Sequence, residues 1–211
     1  MEKNIHPIFE KLHSRSDREQ QLQQHATVVW LTGLSGAGKS TVARALEHEL
    51  FLRGFKCFVL DGDNMRIGIN KNLGFTDADR NENIRRVAEI AKLFIDAGII
   101  VLCSFITPLE SQRKMASQII GEKDFFLTYL STPINVCETR DVKGLYALAR
   151  QHKIEYFTGV NAPFEAPLQA QATINTENKT VFEVTDILLQ AILPIVTYKN
   201  AQPEQYNYYN I

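Results

Sequence analysis

Three groups of residues have the types and spacing to do chemistry. The first is Gly33-Leu34-Ser35-Gly36-Ala37-Gly38-Lys39-Ser40, which fits G-x-x-x-x-G-K-[ST]. Glycines let successive backbone N–H groups turn inward, and the start of a following helix adds partial positive charge. Lys39 would reach the β- and γ-phosphates of a nucleoside triphosphate, and the Ser40 hydroxyl would ligate Mg²⁺. The second is Asp61-Gly62-Asp63-Asn64. A carboxylate there could take the proton of an acceptor hydroxyl or hold Mg²⁺ through water; the ordinary alternative is a solvated turn. The third is basic: Arg66, Lys71, Arg80, Arg85 and Arg86, with Phe75 and Asn83 among them. Guanidinium forks suit phosphate or sulfate. Arg85 and Arg86 could equally be exposed helix charges. A further cluster, Arg140, Lys143 and Arg150, stands where a phosphate-binding kinase would carry a mobile lid. Phe75 and Phe157 are aromatics in polar stretches, able to stack on a base or to anchor a loop.

The elements that must position these residues alternate. Thr27–Thr32 is a β-branched and aromatic run, suited to a strand buried on both faces. After the glycine turn, Val42, Leu46, Leu50 and Phe51 recur at helical spacing, and Gly54 stops the helix. Residues 56–63 read as a second buried strand ending in carboxylates, and 64–80 as loop. Residues 82–98 are a periodic helix. Residues 99–106 form a third strand, broken by Pro108 before a helix over 111–120. Residues 125–131 form a fourth strand, and Ile134–Arg140 begins another helix. A loop-rich stretch to about 171 precedes a short fifth strand at 172–176 and a last helix at 181–193. This predicts an α/β, three-layer P-loop NTPase fold: a five-stranded parallel sheet flanked by helices, plus a mobile lid. Ligands would bind beyond the carboxyl ends of the strands. The expected organisation is an N-terminal leader at 1–25, a kinase domain at 26–194 with a lid at about 140–165, and a polar tail at 195–211.

Composition narrows the function. The 211 residues carry 23 Lys+Arg against 24 Asp+Glu, a formal charge of −1, which argues against a nucleic-acid or anionic-membrane binder. Cys57, Cys103 and Cys137 are too scattered for a disulfide framework or a zinc site, and read as buried thiols of a cytoplasmic protein. The N-terminus has no apolar core of a signal peptide, and no apolar run reaches the ~18 residues of a membrane span. A chain of this size with a triphosphate cradle, an acid pair and basic residues reads as a metabolite kinase.

Longer stretches carry a resemblance. GLSGAGKST (33–41), DGDNMRIGINKNLGF (61–75), DRNENIRRVAEIAKLFIDAG (79–98), SFITP (104–108), CETRDVKGLYALAR (137–150) and FTGVNAPFE (157–165) are collinear. They resemble adenylylsulfate (APS) kinases, which phosphorylate the 3′-hydroxyl of adenosine 5′-phosphosulfate with Mg-ATP. The resemblance implies ATP bound by residues 33–41, Thr41 included, and by Arg140. It implies catalytic roles for Lys39, Asp61 and Thr107, with Ser40 and Asp61 at Mg²⁺. It implies APS bound by Asp63, Asn64, Arg66, Phe75, Arg80, Asn83, Ile106, Thr107, Lys143 and Phe157, with Phe75 and Phe157 sandwiching the adenine. Thr107 stands where the family usually has a serine to which a phosphoenzyme role has been assigned; direct in-line transfer needs no such step. Ile67 replaces a usual histidine, and Asn161-Ala162-Pro163-Phe164 and Ala147-Leu148 also depart from the family. Those departures motivate an alternative, a related kinase acting on another nucleotide-linked acid. An inactive nucleotide-binding regulatory module is a third reading. A homodimer and an association with sulfate adenylyltransferase are expected by resemblance alone.

Overall fold

The structure, a computed structural model, describes residues 5–199. Five parallel strands form one sheet in the order β2-β3-β1-β4-β5. They are β1 (Val28–Thr32), β2 (Cys57–Asp61), β3 (Ile100–Ser104), β4 (Phe125–Leu130) and β5 (Ala172–Ile174). β1 lies at the centre, and all five of its residues are buried. Successive side chains in a strand point to opposite faces, so β1 feeds two cores. Val29 and Leu31 pack with Leu46 and Leu50 of α2 (Lys39–Leu52) and Leu188 and Ile192 of α8 (Val181–Val196). Val28 and Trp30 pack with Val87 and Ile95 of α4 (Asp77–Asp96) and Ala116 of α5 (Glu110–Ile120). This is a three-layer sandwich of helices, sheet and helices, and the candidate residues at 33–40, 61–66 and 104–107 follow the carboxyl ends of β1, β2 and β3.

Several expectations need correction. β2 is not buried on both faces: as the edge strand it buries only Leu60, and Phe58 is exposed. Cys57, on that edge, is half-buried, whereas Cys103 and Cys137 are buried; all three thiols are free. Phe51 lies on the solvent side of α2. Residues 64–80 are not simply loop. α3 (Gly62–Ile67) follows β2 directly, and α4 starts at Asp77, where the Thr76 side chain accepts from the Asp79 N–H as an N-cap. Between β4 and β5, α6 (Ile134–Arg140) is followed by a second short helix, α7 (Leu145–Arg150). α8 continues through Pro194 rather than ending before it.

The leader's helix is tied into this body. α1 (Arg15–Leu22) is capped by a reciprocal Ser14–Asp17 box. Arg15 grips both carboxylate oxygens of Asp124 at 2.7 and 3.0 Å and donates to Ala26 O at 2.5 Å. Gln24 Nε2 donates to Lys56 O and Gly98 O, stitching the segment to the turns before β2 and β3. The expected tail at 195–211 lies largely outside the described residues.

Candidate active site

The glycine turn joins β1 to α2, as the motif requires. Gly33 (φ +147°) and Gly36 (φ +77°) adopt backbone angles that side chains rarely take; a Cβ would stand 2.7 Å from Leu130 O at the first and 2.9 Å from Cys137 O at the second. Each of the five carbonyls from Gly33 to Ala37 has a side-chain donor. Lys39 Nζ donates to Gly33 O and Leu34 O, both at 2.9 Å. Tyr146 OH donates to Ser35 O at 3.0 Å, and Arg140 Nη1 to Gly36 O at 3.2 Å. The Thr132 and Thr176 hydroxyls lie 3.3 and 3.2 Å from Ala37 O and 2.7 Å from each other, so one donates to the carbonyl and the other to its neighbour. In a trans peptide the N–H points opposite to its carbonyl. Holding the Ser35 and Ala37 carbonyls against the protein body therefore turns the Gly36 and Gly38 amides the other way, where an anion would sit, while the Ala37 N–H donates to Leu34 O. Tyr146, Thr132 and Thr176 were not singled out from sequence: they come from distant segments, and only the fold brings them to the loop.

Lys39 is buried, and burial pushes its ammonium down to about 8 although the charges of Cys137 and Asp61 oppose the shift. Ser40 Oγ donates to Asp61 Oδ2 at 2.6 Å and lies 3.2 Å from Ser104 Oγ. Asp61 and Ser104 are register partners at the ends of β2 and β3. Ser104 was another residue the sequence reading passed over. Asp61 Oδ1 accepts from the Asp63 N–H at 3.0 Å and caps α3, so one carboxylate oriented by backbone faces the triphosphate cradle. A hydroxyl and one carboxylate are the hard oxygen donors that suit Mg²⁺, which keeps several waters and takes its other ligands from phosphate. Among the described residues no group of three or more His, Cys, Asp or Glu side chains could hold a metal alone.

α3 and the loop after it carry the cationic group. The half-buried Arg66 donates to Leu73 O and Gly74 O, and its guanidinium lies 4.3 Å from the centre of the exposed Phe75 ring. Arg80 lies 5.8 Å from the same ring and donates to Phe75 O and to Tyr156 O, linking this loop to the 157 segment. Burial lowers the pKa of both guanidiniums, and at Arg66 the charge of Arg80 adds to the effect. Two half-buried cations that repel one another would be relieved by an anion between them. Lys143 pairs with Asp63, bringing the segment after α6 against α3. Asn64, between Asp61 and Arg66 on α3, is exposed.

Other predicted residues take different places. Arg85 and Arg86 are committed to Glu82, whose carboxyl those two guanidiniums hold down to about 2. Asn83 is buried, and its Oδ1 accepts from Asn70 Nδ2 at 2.9 Å. Phe157 is a core residue with its ring edge-on to Tyr146, which leaves Phe75 as the exposed aromatic. Ile106 O accepts from Thr32 Oγ1 at 2.6 Å. Thr107 is 2% exposed and its hydroxyl accepts from the Trp30 indole N–H at 2.9 Å. That burial argues against the hydroxyl as a phosphoryl acceptor. Its φ of +42° is strained for a β-branched residue, at a cost of about 1–3 kcal/mol.

The adenylylsulphate kinase family model matches residues 25–175, most of the chain. The chain belongs to the adenylylsulfate kinase family. It is 54% identical over 198 residues to an adenylyl-sulfate kinase of Phocaeicola vulgatus, covering 94% of this chain and 97% of that one. It is 52% identical over 199 residues to an adenylyl-sulfate kinase of Bacteroides thetaiotaomicron, covering 94% and 99%. The solved Mycobacterium tuberculosis APS kinase CysC, in complex with AMPPNP and APS, matches with a TM-score of 0.77 and 40% identity over 80% of this chain and 98% of that chain. The family accounts for the parallel sheet and the cradle at its centre. Among the described residues no helix is long and apolar enough to cross a membrane.

Proposed function

We propose that this kinase transfers the γ-phosphoryl group of ATP to the 3′-hydroxyl of adenosine 5′-phosphosulfate, giving PAPS and ADP. The observation that carries the reading is the continuity of Asp61, α3 and Arg66. One helix of six residues, about 9 Å long, joins the carboxylate facing Ser40 to the guanidinium on Phe75. An adenylate gripped by its phosphosulfate at Arg66 and Arg80, with its base on Phe75, would have its ribose beside Asp61. Asp63, Asn64 and Lys143, and the backbone at Ile106 and Thr107, border the same acceptor position.

In this reading residues 33–41 hold the triphosphate through main-chain amides, and Lys39 leaves Gly33 O and Leu34 O to meet it. Arg140 and the lid, about 140–165, cover the nucleotide. Ser40 and Asp61 would hold Mg²⁺, which supplies charge neutralisation at the phosphates. Asp61 orients the 3′-hydroxyl and accepts its proton, and Lys39 stabilises charge on the moving phosphoryl group. Transfer is in line, with no covalent step at Thr107.

The test is ADP formation with ATP and APS, run beside a panel of other nucleotide-linked acids. APS-dependent turnover is the expected result; tight ATP binding with no turnover on any acceptor would make the chain a regulatory module instead. We further propose a cytoplasmic homodimer that works alongside sulfate adenylyltransferase. Free thiols and the use of ATP support the compartment; light scattering and co-purification test the assembly.

A further inference from the structure

Arg113, on the first turns of α5, is 2% exposed, yet its carboxylate partner Glu110 is 61% exposed. A buried guanidinium needs its donors satisfied. Nε and Nη2 reach Glu110 Oε2 at 3.1 and 2.7 Å, while Nη1 forks onto two carbonyls, Thr107 O at 2.9 Å and Pro108 O at 3.1 Å. Those carbonyls belong to the loop that leaves β3 beside Asp61. Trp30 holds the same loop through the Thr107 hydroxyl, and Thr32 holds it through Ile106 O. Pro108 O also accepts from the Glu165 N–H at 2.9 Å, and Glu165 Oε2 accepts from the Glu110 N–H at 2.6 Å. Arg113 therefore sits under the junction of the 105–108 loop with the end of the 157–165 segment. Its hydrogen bonds go to Thr107, Pro108 and Glu110, and none goes to residues 33–41.

We infer that Arg113 is a positioning residue for the acceptor nucleotide: from beneath, it holds the left-handed Thr107 backbone and, through Pro108, the end of the 157–165 segment in the geometry that receives the acceptor, without touching it. This rests on the acceptor reading proposed above. Only a planar fork spans both carbonyls while keeping Glu110; an ammonium of the same charge reaches fewer of them. Removing the fork frees Thr107 to relax from its strained angle, and the acceptor floor moves while the triphosphate cradle stays.

Arg113→Lys keeps the charge and nearly the volume. Its KM for APS is expected to rise about tenfold while its KM for ATP stays within twofold and its melting temperature within about 3 °C. Glu110→Ala, at an exposed position, releases the other side of the guanidinium and is the second variant should Arg113→Lys not fold; it is expected to raise the APS KM severalfold with the ATP KM unmoved. Unchanged APS KM values, or KM values for both substrates rising together, would overturn the inference. Wild-type protein run alongside separates the two readings. No APS-dependent turnover in wild type overturns the proposed function and the positioning role with it; wild-type turnover with unmoved variants overturns the role of Arg113 alone.

Discussion

At the scale of single residues, Lys39 is the most exposed to test. Its ammonium is buried against two carbonyls, and burial brings it down to about 8. Phosphate oxygens favour the charged form, so the bound pKa lies above the free one. Above pH 8, nucleotide binding must take up a proton, and affinity falls as pH rises, by up to tenfold per unit. The protein's own stability responds with the opposite sign. Between about 8 and the ordinary lysine value the unfolded chain holds more proton at this site, so its contribution to stability grows with pH. Calorimetric titration of ADP at pH 7 and pH 9, in two buffers of different ionisation enthalpy, reads both the affinity loss and the proton uptake; a pH-independent affinity would refute the assignment. Lys39→Ala is expected to lower kcat by 10²-fold or more. Asp61→Asn keeps the hydrogen bond acceptor for Ser40 but removes the base, and is expected to lower kcat by a similar factor and to raise the Mg²⁺ concentration needed for turnover, measured by coupled ADP release.

At the scale of elements, the cationic loop after α3 and the segment after α6 meet through Arg80 and Lys143, and the two contacts differ in worth. The Lys143–Asp63 pair is solvent-exposed on both sides, so Lys143→Ala should leave the melting temperature unchanged. Arg80 is half-buried and holds two backbone carbonyls from different segments. Arg80→Ala is expected to raise the APS KM tenfold or more while the ATP KM moves little; initial rates varied in each substrate check this, and equal effects would count against the acceptor placement. These contacts also mark what was legible in the sequence. The strand–glycine turn–helix of 28–52 was, because its apolar run, glycines and helical period agree. α3 was not, since Gly62 and Asn64 are poor helix formers and the helix stands on the Asp61 cap and packing against the β2 end. The start of α4 was readable in principle from Thr76 and Asp79, but Gly and Asn upstream hid it. The Phe157 ring, placed by sequence beside a base, is held in the core by Tyr146, a long-range contact that no local pattern announces.

At the scale of the whole molecule, the edge position of β2 and the five clamped carbonyls of the glycine turn are properties of the sheet order. Sequence alone could rank strands by hydrophobicity but not by neighbour. The same sheet order makes nucleotide binding a report on global stability. The cradle is assembled from β1, the segment after β4 (Thr132), α6, α7 (Tyr146) and the turn after β5 (Thr176), so a ligand that binds it binds only the folded chain. ADP at a hundred times its Kd then adds about 2.7 kcal/mol. For a domain of this size each kcal/mol is worth about 2–4 °C, so the melting temperature should rise by about 5–10 °C. Arg15→Ala provides the contrast. It frees α1 from Asp124 and Ala26 and should lower the melting temperature of the free protein by several degrees, yet the increment produced by ADP should stay the same, because no cradle residue is touched. Lys39→Ala should behave in reverse, with the free protein's melting temperature little changed and the ADP increment at the same concentration nearly abolished. Scanning fluorimetry of the three proteins with and without ADP separates the outcomes; an increment that shrinks equally in both variants would mean that the cradle is not an independent binding unit.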